Sequence, residues 1–460
     1  MYSQLRLISK ISAVTLGVLA LTSLAQGQEQ QLTAESVLSS IVENYGPQYE
    51  DVEKAITSLR AKDGDAALKH LETAYQKNKD LPPPDTLLAQ ILFRGRNPNA
   101  GRAALDRATA KYPNDPAAYI YLGDVALGEK RQTEASTMYN RGLDLCKKYS
   151  ANPKRRERLL ANAYGGLALM EEQKENWPAA KTLLEQLLKH DAKNAIAKTR
   201  LGRVLFKMAK NTDDEKKAYE VFRQLYEENN KVTRAEINMA LLYEQANRGS
   251  VAEGLMQKAV QRDGKNLNTR LSVAKWALDT GRMQIAKENA AAAAKLEPDA
   301  AEVKLLMGLI HRLNGNYAEA VKLFKEVHFQ RPTHLGAMSQ LALTLSEDSD
   351  DTVKRQAVGF AELCVRMYPD VNRSSGREAA LVFAWCLNKM GRGQEAVRVV
   401  AQALQKGAVS ADGSYFAAQV LFDNAMSSNA KKVLEVALKS KRSFPHKSAA
   451  TKLMKLIEEG

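Results

Sequence analysis

A small residue returns every 34 positions along most of this chain. The series runs Ala55, Ala89, Gly123, then Gly202, then Ala240, Ala274, Gly308, Ala342, then Ala384, Ala418, with Ala168 joining after a longer gap. Twelve residues behind most of these stands a second one: Ala67, Gly101, Ala135, Ala180, Ala252, Ala286, Ala320, Ala396 and Ala430. A fixed period of this length means stacked supersecondary units, each unable to bury its apolar face alone. Between the small residues the apolar positions recur at helical spacing, as in Tyr119, Leu122, Gly123 and Ala126, then Ala135, Met138, Tyr139 and Gly142. Each unit therefore reads as two antiparallel helices joined by a short turn, all-α throughout. Where two helices cross closely, the side chain at the crossing must be small. Pro113, Pro298, Pro332 and Pro369 mark unit ends.

The pattern Tyr119-x-x-Leu122-Gly123, with Ala135, Tyr139 and Gly142, resembles the tetratricopeptide repeat, as do Gly281, Gly315 and Gly391 at the turns of other units. Eleven frames cover about nine-tenths of the chain behind its leader: 48–81, 82–115 and 116–149, then 161–194, 195–232, 233–266, 267–300, 301–334, 335–371, 377–410 and 411–444. The resemblance implies a right-handed superhelical solenoid of about eleven hairpins. Residues 28–47 are expected to be a linker, 150–160 an insertion between repeats, and 445–460 a capping helix that is polar outside. Two frames are stretched in the turn, where Gly202 pairs with Ala218 and Ala342 with Ala357. A further small position of the pattern is replaced by Leu187, Leu225, Val327 and Cys364.

Residues 1–27 stand apart. Arg6 and Lys10 precede the apolar stretch Ile11 to Leu24, and Ala25-Gln26-Gly27 puts small residues before a cut at Gln28. That is the pattern of a secretory signal peptide, too short and too rich in Ser and Thr for a spanning helix. The expectation is an exported protein, periplasmic or extracellular, with no integral membrane segment after cleavage. Removing the leader takes the formal charge from +14 to +12. A basic surface favours anionic partners. Two clusters carry the excess, one at 147–158 (including Lys154, Arg155, Arg156 and Arg158) and one at 431–455. They define an alternative reading as a patch for anionic polysaccharide. Export and the lack of interleaved aromatics argue against nucleic acid.

Catalytic and metal chemistry find no support in the residue pattern. His311, His328 and His334 share one unit but fall on different helices and a linker. Gly123 to Lys130 spaces its glycines like a phosphate-binding loop, yet it has Glu129 where Lys is needed and lies inside a helix. The acidic runs 213–215 and 347–351 lack the glycine of a calcium loop and suit helix starts instead. No cofactor is implied. Cys364 and Cys386 fall on helices that face each other, so a disulfide competes with two buried thiols, the preferred reading.

Function is then expected on the surface. The resemblance implies that first helices line a concave groove and that a polypeptide lies there. The groove residues carried over include Arg203, Phe206, Lys275, Arg312, Trp385, Tyr415 and Phe422, with Trp385 and Tyr415 as a candidate hot spot that could equally be packing between repeats. The family's clamp for chaperone C-termini is absent, since its places hold Ile120, Asp124, Thr199 and Arg203. The expected role is a non-catalytic scaffold, within an envelope or exopolysaccharide-export assembly.

Overall fold

The computed structural model describes residues 32–459 apart from 40, 43, 96 and 440–443, so the leader at 1–27 lies outside the described residues. Helices are the only regular secondary structure among the described residues, and they fall into two compact units that meet at Val232 and Thr233. The boundary coincides with the end of a repeat frame.

The first unit opens with α1 (Ala34–Leu38) and a single 3-10 turn at Pro47–Tyr49. Five hairpins follow: α2 (Glu50–Arg60) with α3 (Gly64–Lys77), α4 (Pro84–Arg94) with α5 (Pro98–Lys111), and α6 (Pro116–Gly128) with α7 (Gln132–Cys146). The last two are α8 (Pro153–Gln173) with α9 (Trp177–His190) and α10 (Ala195–Met208) with α11 (Thr212–Glu228). The second unit has six: α12 (Ala235–Gln245) with α13 (Gly249–Asp263), α14 (Leu267–Asp279) with α15 (Met283–Leu296), and α16 (Ala301–Leu313) with α17 (Tyr317–Gln330). After these come α18 (Leu335–Leu345) with α19 (Asp351–Met367), α20 (Ser374–Lys389) with α21 (Gly393–Gln405), and α22 (Ala411–Asp423) with α23 (Ser427–Leu438). A final helix, α24 (Lys447–Glu459), packs on α23 and α22.

Every small position of the series is buried. The reason is visible at the glycines. A Cβ on Gly123 would lie 2.7 Å from the ring of Tyr139, one on Gly202 2.6 Å from Phe222, and one on Gly308 2.6 Å from Phe324. In each of these hairpins an aromatic ring of the second helix fills the place where the first has no side chain. Leu187, Leu225, Val327 and Cys364 replace small residues but are also buried, so those contacts are filled rather than opened.

Among the described residues, the turn between the paired helices holds one left-handed residue in eight of the eleven hairpins. Gly281, Gly315 and Gly391 supply it at φ of 77°, 78° and 76°. Lys62, Lys130, Glu175, Asn247 and Ala425 stand at the same place in their frames with φ of 58° to 63°. Those five hold a conformation that side chains with a Cβ resist. The two stretched frames use their extra residues differently: α11 and α19 are 17 residues long, and each starts at its acidic run. Asn211 and Asp350 cap these helices by accepting from the backbone N–H of Asp214 and Thr352. The acids sit at positive helix ends, as helix-start residues should.

Two segments outside the repeat frames take on helical structure. The linker contains α1, whose Ala34, Val37 and Leu38 are buried with Ile41 and Val42 against the first hairpin. Thr33 and Ser36 form a capping box there, and Ala34 N–H donates to Glu53 Oε2 at 2.8 Å. This stretch covers the open apolar end of the array. The insertion, for its part, lengthens a helix: α8 begins at Pro153 and runs 21 residues.

A candidate groove and the contacts that bridge it

The first helices of consecutive hairpins pack on one another, α6 on α8 in the first unit and α12, α14, α16, α18, α20 and α22 in succession in the second. The second helices instead contact the first helix that follows them. The first helices therefore form the tighter, inner face of the second unit, as α6 and α8 do in the first, and their inward side chains line a groove.

In the first unit, the extended start of α8 reaches back across this face. Asn152 Nδ2 donates to Ile41 O at 3.1 Å and to Asp80 O at 3.0 Å, and Lys154 Nζ donates to Val42 O at 2.7 Å. The contacts with Ile41 and Val42 join residues more than a hundred positions apart. Behind them Arg155 is buried, pairing with Asp115 Oδ1 at 2.6 Å and with the Tyr149 hydroxyl at 2.7 Å, while Thr86 donates to the other Asp115 oxygen at 3.0 Å. Arg156 bonds Glu157 at 3.0 Å, and Arg158 lies within electrostatic range of Arg94 and Tyr121. The expected polyanion patch at Lys154, Arg155, Arg156 and Arg158 is thus split: Arg158 is exposed and Arg156 half-buried, but the other two are engaged. Arg155 is internal and Lys154 ties down backbone, because the insertion became the first turns of a packed helix. Further along, Glu172 is fully buried between Arg200 (Nε to Oε1, 2.7 Å) and Arg203. Arg203, expected to face a ligand, neutralises an internal carboxylate, and Phe206 beside it is buried.

Asp124 lies on the groove side of α6, where Tyr139 OH donates to Oδ1 at 2.7 Å. Although the side chain remains exposed, the surrounding helices thin its solvation and push its carboxyl up to about 6, against the lowering effect of the Tyr139 hydrogen bond.

The second unit gathers three of the expected groove residues, Arg312, Trp385 and Tyr415, at one place. Arg312 on α16 donates from Nη2 to His446 Nε2 at 3.0 Å, and His446 Nδ1 meets Asp412 Oδ1 at 2.6 Å. A guanidinium only donates, so Nε2 accepts and Nδ1–H is the donor to Asp412. The imidazole stacks on Tyr415 (5.3 Å, 10°) and meets Phe416 edge-on (5.2 Å). Trp385 packs on Tyr415 at 6.0 Å and on Phe416 at 5.1 Å, and donates from Nε1 to Glu347 Oε1 at 3.3 Å. Lys389 bonds the same carboxylate at 2.9 Å and sits over the Trp385 ring. Burial raises the carboxyls of Asp279 and Glu378, and the charge of Asp412 adds to both.

The expected hot spot is thus brought together, but Trp385 is only 7% exposed, and its ring belongs to packing between repeats. Tyr415 is half-buried beneath His446. Lys275 is exposed and bonds Asp279 at 2.9 Å, while Phe422 is half-buried at the end of α22. The role of His446 had no sequence signal, since it depends on a contact spanning 134 residues.

Cys146, Cys364 and Cys386 are all buried and unbonded to one another, and burial raises each thiol. His334 caps α18 by accepting from Ala337 N–H at 3.0 Å, and His328 meets Phe360 edge-on. Among the described residues no group of three or more His, Cys, Asp or Glu side chains is arranged to hold a metal ion. No helix among them is long and apolar enough to cross a membrane.

The tetratricopeptide repeat profile matches residues 58–144 in one form and residues 166–230 and 274–333 in another. No curated protein matches the chain. Among solved structures, yeast Tom70 aligns over 90% of this chain and 96% of its own at 15% identity and a TM-score of 0.41. TTC0263, a thermophilic TPR protein of Thermus thermophilus, aligns over 42% of this chain and 100% of its own at 16% identity and a TM-score of 0.36. YrrB, described as a TPR protein with an unusual peptide-binding site, aligns over 45% of this chain and 98% of its own at 17% identity and a TM-score of 0.26. The matched segments and the paired helices support a protein-interaction scaffold, and in both sequence pattern and all-helical hairpin fold the chain resembles the tetratricopeptide repeat family.

Proposed function

We propose that this protein is a non-catalytic scaffold, exported from the cytoplasm, that holds a polypeptide partner along the inner face of its second unit. The observation that carries this reading is the succession of six first helices, α12 to α22, on one face. Their half-buried Leu271, Leu305, Leu309 and Phe422 alternate with the charged or polar Lys275, Arg312 and Gln419. Such a mixed strip suits a peptide's alternating side chains and backbone better than a uniformly charged polymer. An envelope or exopolysaccharide-export assembly is the setting that the leader and the repeat array suggest together. The anionic-polysaccharide alternative keeps only the exposed Lys147, Lys148 and Arg158 of its 147–158 cluster, together with the exposed Lys432, Lys439, Lys452 and Lys455.

The test is cross-linking followed by pull-down from the envelope fraction, comparing the natural chain with Lys275→Glu plus Gln419→Arg. Both residues lie outside the core, so the fold should survive. Loss of a specific partner from the variant is expected; an unchanged set of partners refutes the groove. Fractionation with N-terminal sequencing checks export: a mature chain starting at Gln28 is expected, and a cytoplasmic chain retaining its leader overturns it.

A further inference from the structure

The Arg312–His446–Asp412 contact joins the end of α16 to the start of α22 through a residue that precedes α24. These elements belong to hairpins that are not neighbours in the array. Stacking of repeats does not require the contact, because α24 is already anchored by Ala450 and Leu453 against the core beneath it. Nor is the arrangement a comfortable one for Arg312. Its Nε is buried without a hydrogen-bond partner, and its Nη2 bonds an imidazole nitrogen rather than a carboxylate. A buried guanidinium left partly unsatisfied costs free energy, which offsets part of what the closed arrangement gains. Directly beneath the imidazole lie Tyr415 and, beyond it, Trp385.

We propose that Arg312, His446 and Asp412 form a clasp that holds the groove of the second unit shut over Tyr415 and Trp385, and that a polypeptide lies there only when the clasp opens. The proposal rests on the scaffold reading above and deepens it. In the open state His446 leaves Tyr415, the ring face becomes available for stacking, and Arg312 regains water or a ligand acceptor. A partner then binds with its intrinsic affinity reduced by the fraction of molecules that are open.

Hydroxyl-radical footprinting of the full chain reads the solvent access of Tyr415 and Trp385 directly, without a partner. In the natural chain both oxidise slowly. Arg312→Met and His446→Leu should each raise oxidation at Tyr415 several-fold, with a smaller rise at Trp385. Because both variants break one clasp, the double variant should show no more than either alone. Trp276, buried in another hairpin and bonded to Glu244, serves as the internal reference and should not change. No rise at Tyr415 in Arg312→Met overturns the clasp, as does an equal rise at Trp276, which would mean general loosening. Failure here leaves the scaffold reading standing, whereas failure of the pull-down leaves the footprint result untouched.

Discussion

Adding a single methyl group at Gly308 tests why the period exists at all. An alanine Cβ there would sit 2.6 Å from Cε1, 2.9 Å from Cδ1 and 3.0 Å from Cζ of Phe324, whose side chain is fully buried. Carbon atoms pack at about 3.5–4.0 Å, so the ring must retreat by roughly 1 Å inside a filled core. Overpacking of this kind costs about 1–3 kcal/mol. Replacing a mid-helix glycine by alanine returns about 1 kcal/mol of backbone entropy. Gly308→Ala should therefore be destabilising by about 0–2 kcal/mol. Gly359, inside α19, has nothing within 4 Å of the same atom, so Gly359→Ala should be stabilising by about 1 kcal/mol. The two identical chemical changes differ in sign. A long array need not unfold in one step, so the assay is amide hydrogen exchange resolved to α16–α17 and α18–α19, supported by urea melts. Equal stabilisation by both substitutions would refute the close-crossing explanation of the 34-residue series.

Other predictions follow from particular contacts. Asp115→Asn leaves the buried Arg155 without its charge partner and should cost about 3–5 kcal/mol, read as a lowered melting temperature of the first unit. Ala425→Gly relieves a left-handed turn at φ 59° and should stabilise the last hairpin by about 1 kcal/mol in the same exchange assay; destabilisation would mean the turn is not strained. Asp124 has a folded value of about 6 against an ordinary 3.8, so its contribution to stability is fully present below about pH 4 and is lost as pH rises through 6. The difference between the natural chain and Asp124→Asn in thermal melts from about pH 4 to 7 isolates that contribution. A difference independent of pH would contradict it.

Much of the architecture was legible because it is local and repeated. The small residues report a contact within each hairpin, and the aromatic that fills it stands 16 residues downstream in Gly123–Tyr139 and Gly308–Phe324. The turn glycines were readable as well, although Lys62, Lys130, Glu175, Asn247 and Ala425 hold the same conformation and give no composition cue. What stayed hidden is long-range. Nothing near Asn152 or Lys154 signals backbone partners at Ile41 and Val42, and Arg155 looks like any surface arginine until Asp115 is placed beside it. The same limit applies to Trp385. Its groove position followed from the repeat frame, but its burial depends on Phe416 and Tyr415 of the next hairpin. The five-residue α1 is too short to show a period.

Site-specific photo-cross-linking tests the central claim most directly. A photoreactive phenylalanine analogue at Gln419 reports the inner face of the second unit, and one at Phe329, 76% exposed on a second helix, reports the outside. The scaffold account predicts that one polypeptide is captured from the Gln419 position, and more strongly when His446→Leu opens the clasp, with no such capture from Phe329. Capture from Phe329 alone would contradict it.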